Sequence, residues 1–405
     1  MREVYLDYAA TTPLDPDVLE AMRPYLTEHF GNASSVHAKG RQARVALDEA
    51  RETVAEGIGA EPSEVVFTSG GTEADNLALR GVLRGTQGAE RGARLVTSAA
   101  EHKAVLEPAE ALAAEGVSVR TLAPGSDGAV CPEQVADALD EGANSSENGS
   151  ADDGSGDSTT LVSLMHTNNE VGTRTSLAEI ADLCHERGAL LHTDAVQAAG
   201  TGLDVKALGV DLASLSGHKL YGPKGVGALY VRSGVELEPL VRGGSQERAR
   251  RGGTENVAAV VGLAEALSRA TDGAEARAEH LRFLQHRLAE RLRSAFGDAL
   301  LLNTPLGEEA SAPHVLSASF PSGDDEPPLD GEMLLLNLDV EGVRASAGSA
   351  CTSGALEPSH VLQAMGLSRG TAAATVRFSF GKDTTAADID HATDALETVV
   401  GRMKA

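Results

Sequence analysis

The spacing of apolar positions changes along this chain, and the changes divide it into regions. Ala43, Leu47, Ala50, Val54 and Ile58 recur three or four apart, which predicts one apolar face of a helix. A shorter helix is predicted before it at Asp17–Leu26, where Pro13 and Pro16 bracket a start signal. From residue 65 short apolar runs take over. Val65–Thr68, Arg94–Thr97, Val117–Leu122, Leu161–Met165, Ala189–Thr193, Asp211–Leu215 and Val226–Val231 read as buried strands. Helical stretches separate several of them, at Thr72–Val82, Ala104–Glu115, Pro132 to about Leu139, and Leu177–Arg187. Strands alternating with helices imply an α/β fold with a mainly parallel sheet sandwiched by helices.

Past Thr254 the pattern turns to long helices, Asn256–Ala270 and Ala274–Phe296. Strands Val315–Phe320 and Thr375–Phe380 follow, with helices Glu332–Leu338 and Ala386–Met403. This reads as a smaller α+β domain. The expected division is a large domain over 15–272 and a small domain made of 1–14 and 273–405. With 405 residues, two domains are also what length predicts. One acidic stretch, 140–158, has no periodicity and almost no apolar residues, so a flexible surface insertion is expected there.

Charge narrows the partners. Sixty acidic residues face 34 basic ones, a formal charge of −26, and only seven of the basic residues are Lys. Such an excess suits a halophilic protein, in which salt screens the self-repulsion. Nucleic acid and anionic membranes, both polyanionic, are poor partners for it. No apolar run reaches the ~20 residues that span a bilayer, and Met1–Asp7 lacks a signal-peptide core, so a cytoplasmic protein is expected. Three cysteines, Cys131, Cys184 and Cys351, make no disulfide framework and have no metal-ligand spacing.

Polar chemistry collects where strands end, which in an open α/β sheet is the ligand crevice. Ser216-Gly217-His218-Lys219 follows one strand, and taken alone a lysine in a glycine-rich turn reads as a surface residue. Ser69-Gly70-Gly71-Thr72-Glu73 opens a helix, an anion site suited to phosphate. Glu101-His102-Lys103 places an imidazole at the crevice mouth. His166-Thr167-Asn168-Asn169-Glu170 is dense in hydrogen-bonding groups straight after an apolar strand, which is costly unless something binds. Asp194 ends another apolar run, with Gln197 three residues on. A carboxylate facing a ring nitrogen, together with a lysine amine, is the logic of pyridoxal phosphate chemistry.

Together these stretches, with Tyr5-Leu-Asp7-Tyr8-Ala-Ala10-Thr11-Thr12-Pro13 and Gly348-Ser349-Ala350-Cys351-Thr352-Ser353, resemble the cysteine desulfurases of the IscS/NifS type. These are pyridoxal 5'-phosphate enzymes of the aspartate-aminotransferase fold group, and the resemblance spans nearly the whole chain. It implies Lys219 as the Schiff-base lysine, Asp194 as partner of the ring nitrogen, Gln197 at the ring oxygen and His102 stacked on the ring. Gly71, Thr72, Ser216 and His218 would hold the phosphate, joined by Thr254 from a neighbouring subunit, which implies a homodimer. Arg377 would bind the substrate carboxylate, with Asn32 and Asn169 as polar contacts around substrate and ring. L-cysteine would become L-alanine. Lys219 would move the α-proton, Cys351 would take the sulfur as a persulfide, and His102 would assist proton transfer.

Cys351 lies in a run of small residues with no apolar face to bury, where a nucleophilic thiol that must travel belongs. Cys184, at helical spacing with Leu177, Ile180 and Ala181, reads as a core thiol. The acceptor would be an iron-sulfur scaffold or a tRNA-thiolation enzyme. The resemblance leaves a selenocysteine lyase or another class-V aminotransferase-like activity as alternatives, and a non-catalytic cofactor-binding scaffold as a distant one. A plain aminotransferase needs no thiol, and a SufS-type loop would place His beside the cysteine where this chain has Ala350.

Overall fold

The computed structural model describes residues 2–85, 92–145, 159–321, 328–348 and 357–404. A two-residue strand, β1 (Val4–Tyr5), precedes helices α1 (Pro16–Thr27) and α2 (Ala38–Gly57). Asp15 caps α1 by accepting from Asp17 N, and Pro16 takes a first-turn position that needs no N–H. Alternation then follows as β2 (Val65–Thr68), α3 (Gly71–Gly85), β3 (Arg94–Ser98), α4 (Lys103–Ala114), β4 (Ser118–Leu122), α5 (Pro132–Ser145) and β5 (Thr160–Ser163). It continues through α6 (Leu177–Glu186), β6 (Leu190–Asp194), β7 (Leu212–Ser216) and β8 (Gly227–Val231).

These seven strands form one sheet in the order β2-β8-β7-β6-β5-β3-β4. Strands β3 to β7 pair in parallel. Strand β8 runs antiparallel to both neighbours, β2 and β7. Only residues 217–226 join β7 to β8, too few for the crossover that a parallel return requires. That short return is the turn carrying Lys219. Along β2, Val65 and Phe67 face one apolar layer and Val66 the other. The two layers, with α2 and α3 respectively, explain why the strands read as continuous apolar runs.

Helix α7 (Val257–Thr271) packs into the first of these layers. Beyond it come α8 (Ala274–Phe296), β9 (Leu301–Leu302), β10 (Val315–Ser319), α9 (Gly331–Val340), β11 (Val343–Arg344), α10 (His360–Ala364), α11 (Arg369–Ala373), β12 (Thr375–Ser379) and α12 (Ala386–Lys404). Strands β12-β10-β9 make an antiparallel sheet, while β1 pairs in parallel with β11. A separate core holds Val4 and Leu6 together with Leu284, Leu288, Phe378 and Leu396. The first residues of the chain are thus packed among residues from 281 onward.

One expectation changes. Helix α5 runs to Ser145 rather than to about Leu139, so residues 140–145 of the expected flexible insertion are helical. Asp140 pairs with Arg187 and Glu141 with Arg120, partners that local acidity does not reveal. Residues 146–158 lie outside the described part of the chain. The glycines after Lys219 let the protein's own backbone close up: a Cβ on Gly227 would meet Leu215 O at 2.4 Å, and one on Gly222 would meet Gly217 O at 2.7 Å.

Candidate active site

The carboxyl ends of β3, β5, β6 and β7 open into one cleft of about 690 Å³. Its opposite wall is built from Asp7, Ala9 and Ala10 of the N-terminal segment and from residues 345–348. Lys219 stands in this cleft on the 3-10 turn Gly217–Lys219. Its Nζ donates to Ala9 O at 2.5 Å and Ala10 O at 2.9 Å. Burial first, then Arg377, lower its pKa from 10.5 to about 8. An amine so poised is a competent nucleophile toward a carbonyl near neutral pH.

Asp194, the last residue of β6, also lines the cleft, and its Oδ1 accepts from Val196 N at 2.9 Å. Burial pushes its carboxyl upward, opposed by that N–H, His102 and Lys219. A cation brought against it would favour its ionised form. His102 caps α4 by accepting from Ala104 N on Nδ1 at 3.1 Å, so the neutral ring carries its hydrogen on Nε2. Burial lowers its pKa.

An anion cradle lies along one side. Gly71 and Thr72 begin α3, and both line the cleft with Ser216 and His218. A Cβ at Gly71 would come within 2.7 Å of Val196 Cγ2, so only glycine allows the helix start to close on the β6 loop here. His218 Nδ1 meets Thr11 Oγ1 at 3.1 Å, and burial with Lys219 and Lys224 lowers the ring to about 4.

The HTNNE loop divides its labour. Asn168 is structural: its Nδ2 donates to Ala100 O, while its Oδ1 accepts from Glu170 N and Val171 N. Asn169 lines the cleft, and its carbonyl accepts from Arg377 at 2.8 Å. Arg377, on β12, also pairs with Asp7 at 2.7 Å and donates to Gly348 O at 3.3 Å. Among the described residues its Nε is buried without a hydrogen-bond partner, and on the cleft wall the buried Asp75 Oδ1 has His192 Nε2 near it, at 3.6 Å. Gln197 donates from Nε2 to Ala9 O at 2.9 Å.

Ten of the expected site residues therefore meet in one cleft: His102, Lys219, Asp194, Gln197, Gly71, Thr72, Asn169, Ser216, His218 and Arg377. Two do not. Asn32 is exposed and folds its Oδ1 back onto Ser34 N at 2.8 Å. Thr254 is exposed on a loop held by Arg251–Glu73 and by the buried Arg51–Glu247 pair. Neither lines the cleft of its own chain. Cys351 lies outside the described residues. Of the other cysteines, Cys184 is buried, with its thiol pushed up to about 12, and Cys131 is exposed. Asp75 and His360, to which the sequence assigned no part, also line the cleft, as do Asp7 and Glu170 from two of the polar stretches named above. Asp75, one turn after Thr72 on α3, was within reach of a helix-face argument; His360 carries no local signal.

The donor set suits pyridoxal phosphate: an amine with no carboxylate contact among the described residues, a buried carboxylate, a helix-start cradle that only Gly71 permits, and a buried Arg377 Nε with no hydrogen-bond partner among those residues.

The sequence profile described as aminotransferase class-V matches residues 4–391. A cysteine desulfurase IscS from Dictyoglomus turgidum is 42% identical over 404 residues, covering 100% of this chain and 96% of the relative. A putative cysteine desulfurase IscS 1 from Bacillus subtilis is 43% identical over 405 residues, covering 100% of both chains. Among solved structures, one described as a NifS-like protein superposes with a TM-score of 0.86 at 35% identity, covering 99% of this chain and 100% of its own.

Proposed function

The chain belongs to the class-V aminotransferase family and is a pyridoxal-phosphate-dependent cysteine desulfurase of the IscS/NifS type, and we propose that the Lys219 cleft is where it works on L-cysteine. The observation that carries this assignment is the Lys219 amine, lowered to about 8 and held, among the described residues, by the carbonyl oxygens of Ala9 and Ala10 in the cleft that buried Asp194 also lines.

Lys219 would hold the cofactor through Nζ. Asp194 would serve its ring nitrogen, Gln197 its ring oxygen, and His102 its ring face. Gly71, Thr72, Ser216 and His218 would take its phosphate at the start of α3. When bound, the cofactor supplies an electron sink for charge developing at the substrate Cα. Arg377 orients the substrate by its carboxylate, a task suited to a guanidinium fork; Asn169, whose carbonyl already holds Arg377, faces the same space. Lys219 Nζ carries the proton taken from Cα, and His102 Nε2 serves as proton donor near the departing sulfur.

Cys351 follows Gly348, a residue of the cleft wall, by three positions in the sequence. Its thiolate attacks the substrate Sγ. The Cβ–S bond breaks, an S–S bond forms, and Cβ takes a proton, leaving L-alanine and a persulfide on Cys351. That sulfur passes to an acceptor protein, for iron-sulfur cluster assembly or tRNA thiolation.

A homodimer completes the site, with Thr254 reaching the neighbouring phosphate and Asn32 the substrate region. Its support is a surface too apolar to be left bare. Leu19, Leu26, Phe30, Val36 and Val45 are all exposed on α1, α2 and the link between them, Phe30 at 70% and Val36 at 89%. The division into a large domain, 15–272, and a small one, 1–14 with 273–405, is supported by the separate core that joins Val4 and Leu6 to residues after 281. No helix among the described residues is long and apolar enough to cross a membrane, and we take the enzyme to act in the cytoplasm.

The test is product analysis with L-cysteine, in low and in high salt. Alanine should appear together with sulfide, and mass spectrometry should find added sulfur on Cys351. Cys351→Ala should lose that sulfur, and Lys219→Ala the borohydride-reducible link to the cofactor. Turnover of selenocysteine alone, or keto-acid formation without sulfur release, would overturn the assignment.

A further inference from the structure

Ala9 O accepts two hydrogen bonds, one from Lys219 Nζ at 2.5 Å and one from Gln197 Nε2 at 2.9 Å. A carbonyl oxygen can only accept, so it fixes which end of the Gln197 amide faces it. The amide oxygen Oε1 turns the other way and meets His314 Nε2 at 3.2 Å. Since Oε1 also only accepts, His314 must carry a hydrogen on Nε2. Burial, with Arg174, Arg377 and Lys219 nearby, lowers its pKa to about 4, so at neutral pH it is the neutral Nε2–H form.

His314 immediately precedes β10 and lines a second cavity of about 430 Å³ with Tyr8 and Tyr221, behind the cofactor cleft. The N-terminal segment separates the two spaces. Asp7, Ala9 and Ala10 face the cleft, while Tyr8, Thr12 and Asp15 face the second cavity; Lys219 and Gln197 line both. Among the described residues, Gln197 is the hydrogen-bond link from His314 to the reacting end of the molecule.

We propose that His314 is a positioning residue: its Nε2–H fixes the Gln197 amide so that the second Nε2 hydrogen serves the cofactor's ring oxygen, and this sets the pH at which the cofactor's link to Lys219 ionises. The proposal rests on the reading that Gln197 donates to that oxygen. A donor there draws off negative charge that would otherwise hold a proton on the neighbouring link nitrogen, so a loosened amide raises the ionisation pH.

The charged and titratable groups facing Lys219 are Asp7 from the N-terminal segment, Asp194 from β6, His102 at the cap of α4, His218 in its own turn and Arg377 from β12. Those facing His314 are Arg174, Arg377 and Lys219. A neutral substitution at His314 alters none of these charges, so a displaced midpoint reports the amide.

The experiment is a pH titration of the visible absorption of the purified holoenzyme, in wild type, His314→Phe, His314→Gln and Gln197→Leu. Thermal unfolding checks that each variant folds. His314→Phe should raise the midpoint by about half to one pH unit. His314→Gln, which keeps a donor, should stay near wild type, and Gln197→Leu should shift at least as far as the phenylalanine variant. A wild-type midpoint in His314→Phe beside a shifted Gln197→Leu overturns the role of His314. An unshifted Gln197→Leu overturns the reading of Gln197 itself. Independently of cofactor, nitrogen-15 histidine spectra of wild type should show His314 as the Nε2–H tautomer; an Nδ1–H tautomer overturns the proposal.

Discussion

Replacing Lys219 by methionine in the cofactor-free protein should change how stability depends on pH, in a direction fixed by the cleft. Lys219 is lowered from 10.5 to about 8 on folding, chiefly by burial. Between those two values the unfolded chain holds a proton at this position and the folded one does not. Stability therefore rises with pH across that window. Below about 8 both states are charged and the folded state bears the full cost; above 10.5 both are neutral and the cost is gone. A difference of about 2.5 pH units is worth about 3 kcal/mol. Lys219→Met abolishes this dependence while leaving the other titrating groups in place. Chemical denaturation of both proteins, from about pH 7.5 to about pH 10, should show wild type gaining about 2–3 kcal/mol on the variant. The hydrogen bonds to Ala9 O and Ala10 O, lost in the variant, offset the two curves without supplying that slope. A gap that stays flat, or one that moves against wild type as pH rises, would refute the claim that the cleft lowers the ionisation of the Lys219 amine.

Arg51 and Glu247 form a buried bidentate pair at 2.8 and 2.7 Å, with Glu247 also accepting from Phe67 N at 2.9 Å. Arg51→Met strands that carboxylate and should cost about 3–5 kcal/mol in urea titrations. Adding Glu247→Gln should recover part of this cost, and strict additivity of the two changes would sink the idea. With a formal charge of −26, the protein should gain several degrees in unfolding temperature between about 0.1 and about 2 M KCl; indifference to salt over that range would argue against halophilic adaptation.

The parts of this molecule that the sequence made legible are those whose signal is local. Asp194 stood out because it closes an apolar run; Lys219, a surface residue by its turn alone, gained its meaning from Asp194, Gly71, Thr72 and His102 at the ends of other strands. The strands were readable because β2, β7 and β8 are buried along their whole length. What escaped is what distance in sequence hides. Asp7 and Arg377 pair across 370 residues, and no spacing rule links them. The last turn of α5 looked like acidic linker because its stabilising partners, Arg187 and Arg120, sit on other elements. His314 precedes a strand and has no polar company in sequence, so only its contact with Gln197 gives it meaning. Thr254 and Asn32 were legible through resemblance alone, since within one chain neither approaches the cleft.

The N-terminal segment also constrains when the molecule can be finished. Val4 pairs with Val343, Asp7 bridges to Ser379, and Ala9 N donates to Ser379 Oγ. Closing so long a loop adds little to the equilibrium cost, about 0.6 kcal/mol per doubling of length, but contacts this distant form late. A ribosome releases residues 4–10 long before it has made their partners. During synthesis the carbonyls of Ala9 and Ala10 have no anchored position, and Lys219 waits with its turn already encoded. Loading of the cofactor then falls to the completed chain, after the last strand has been released.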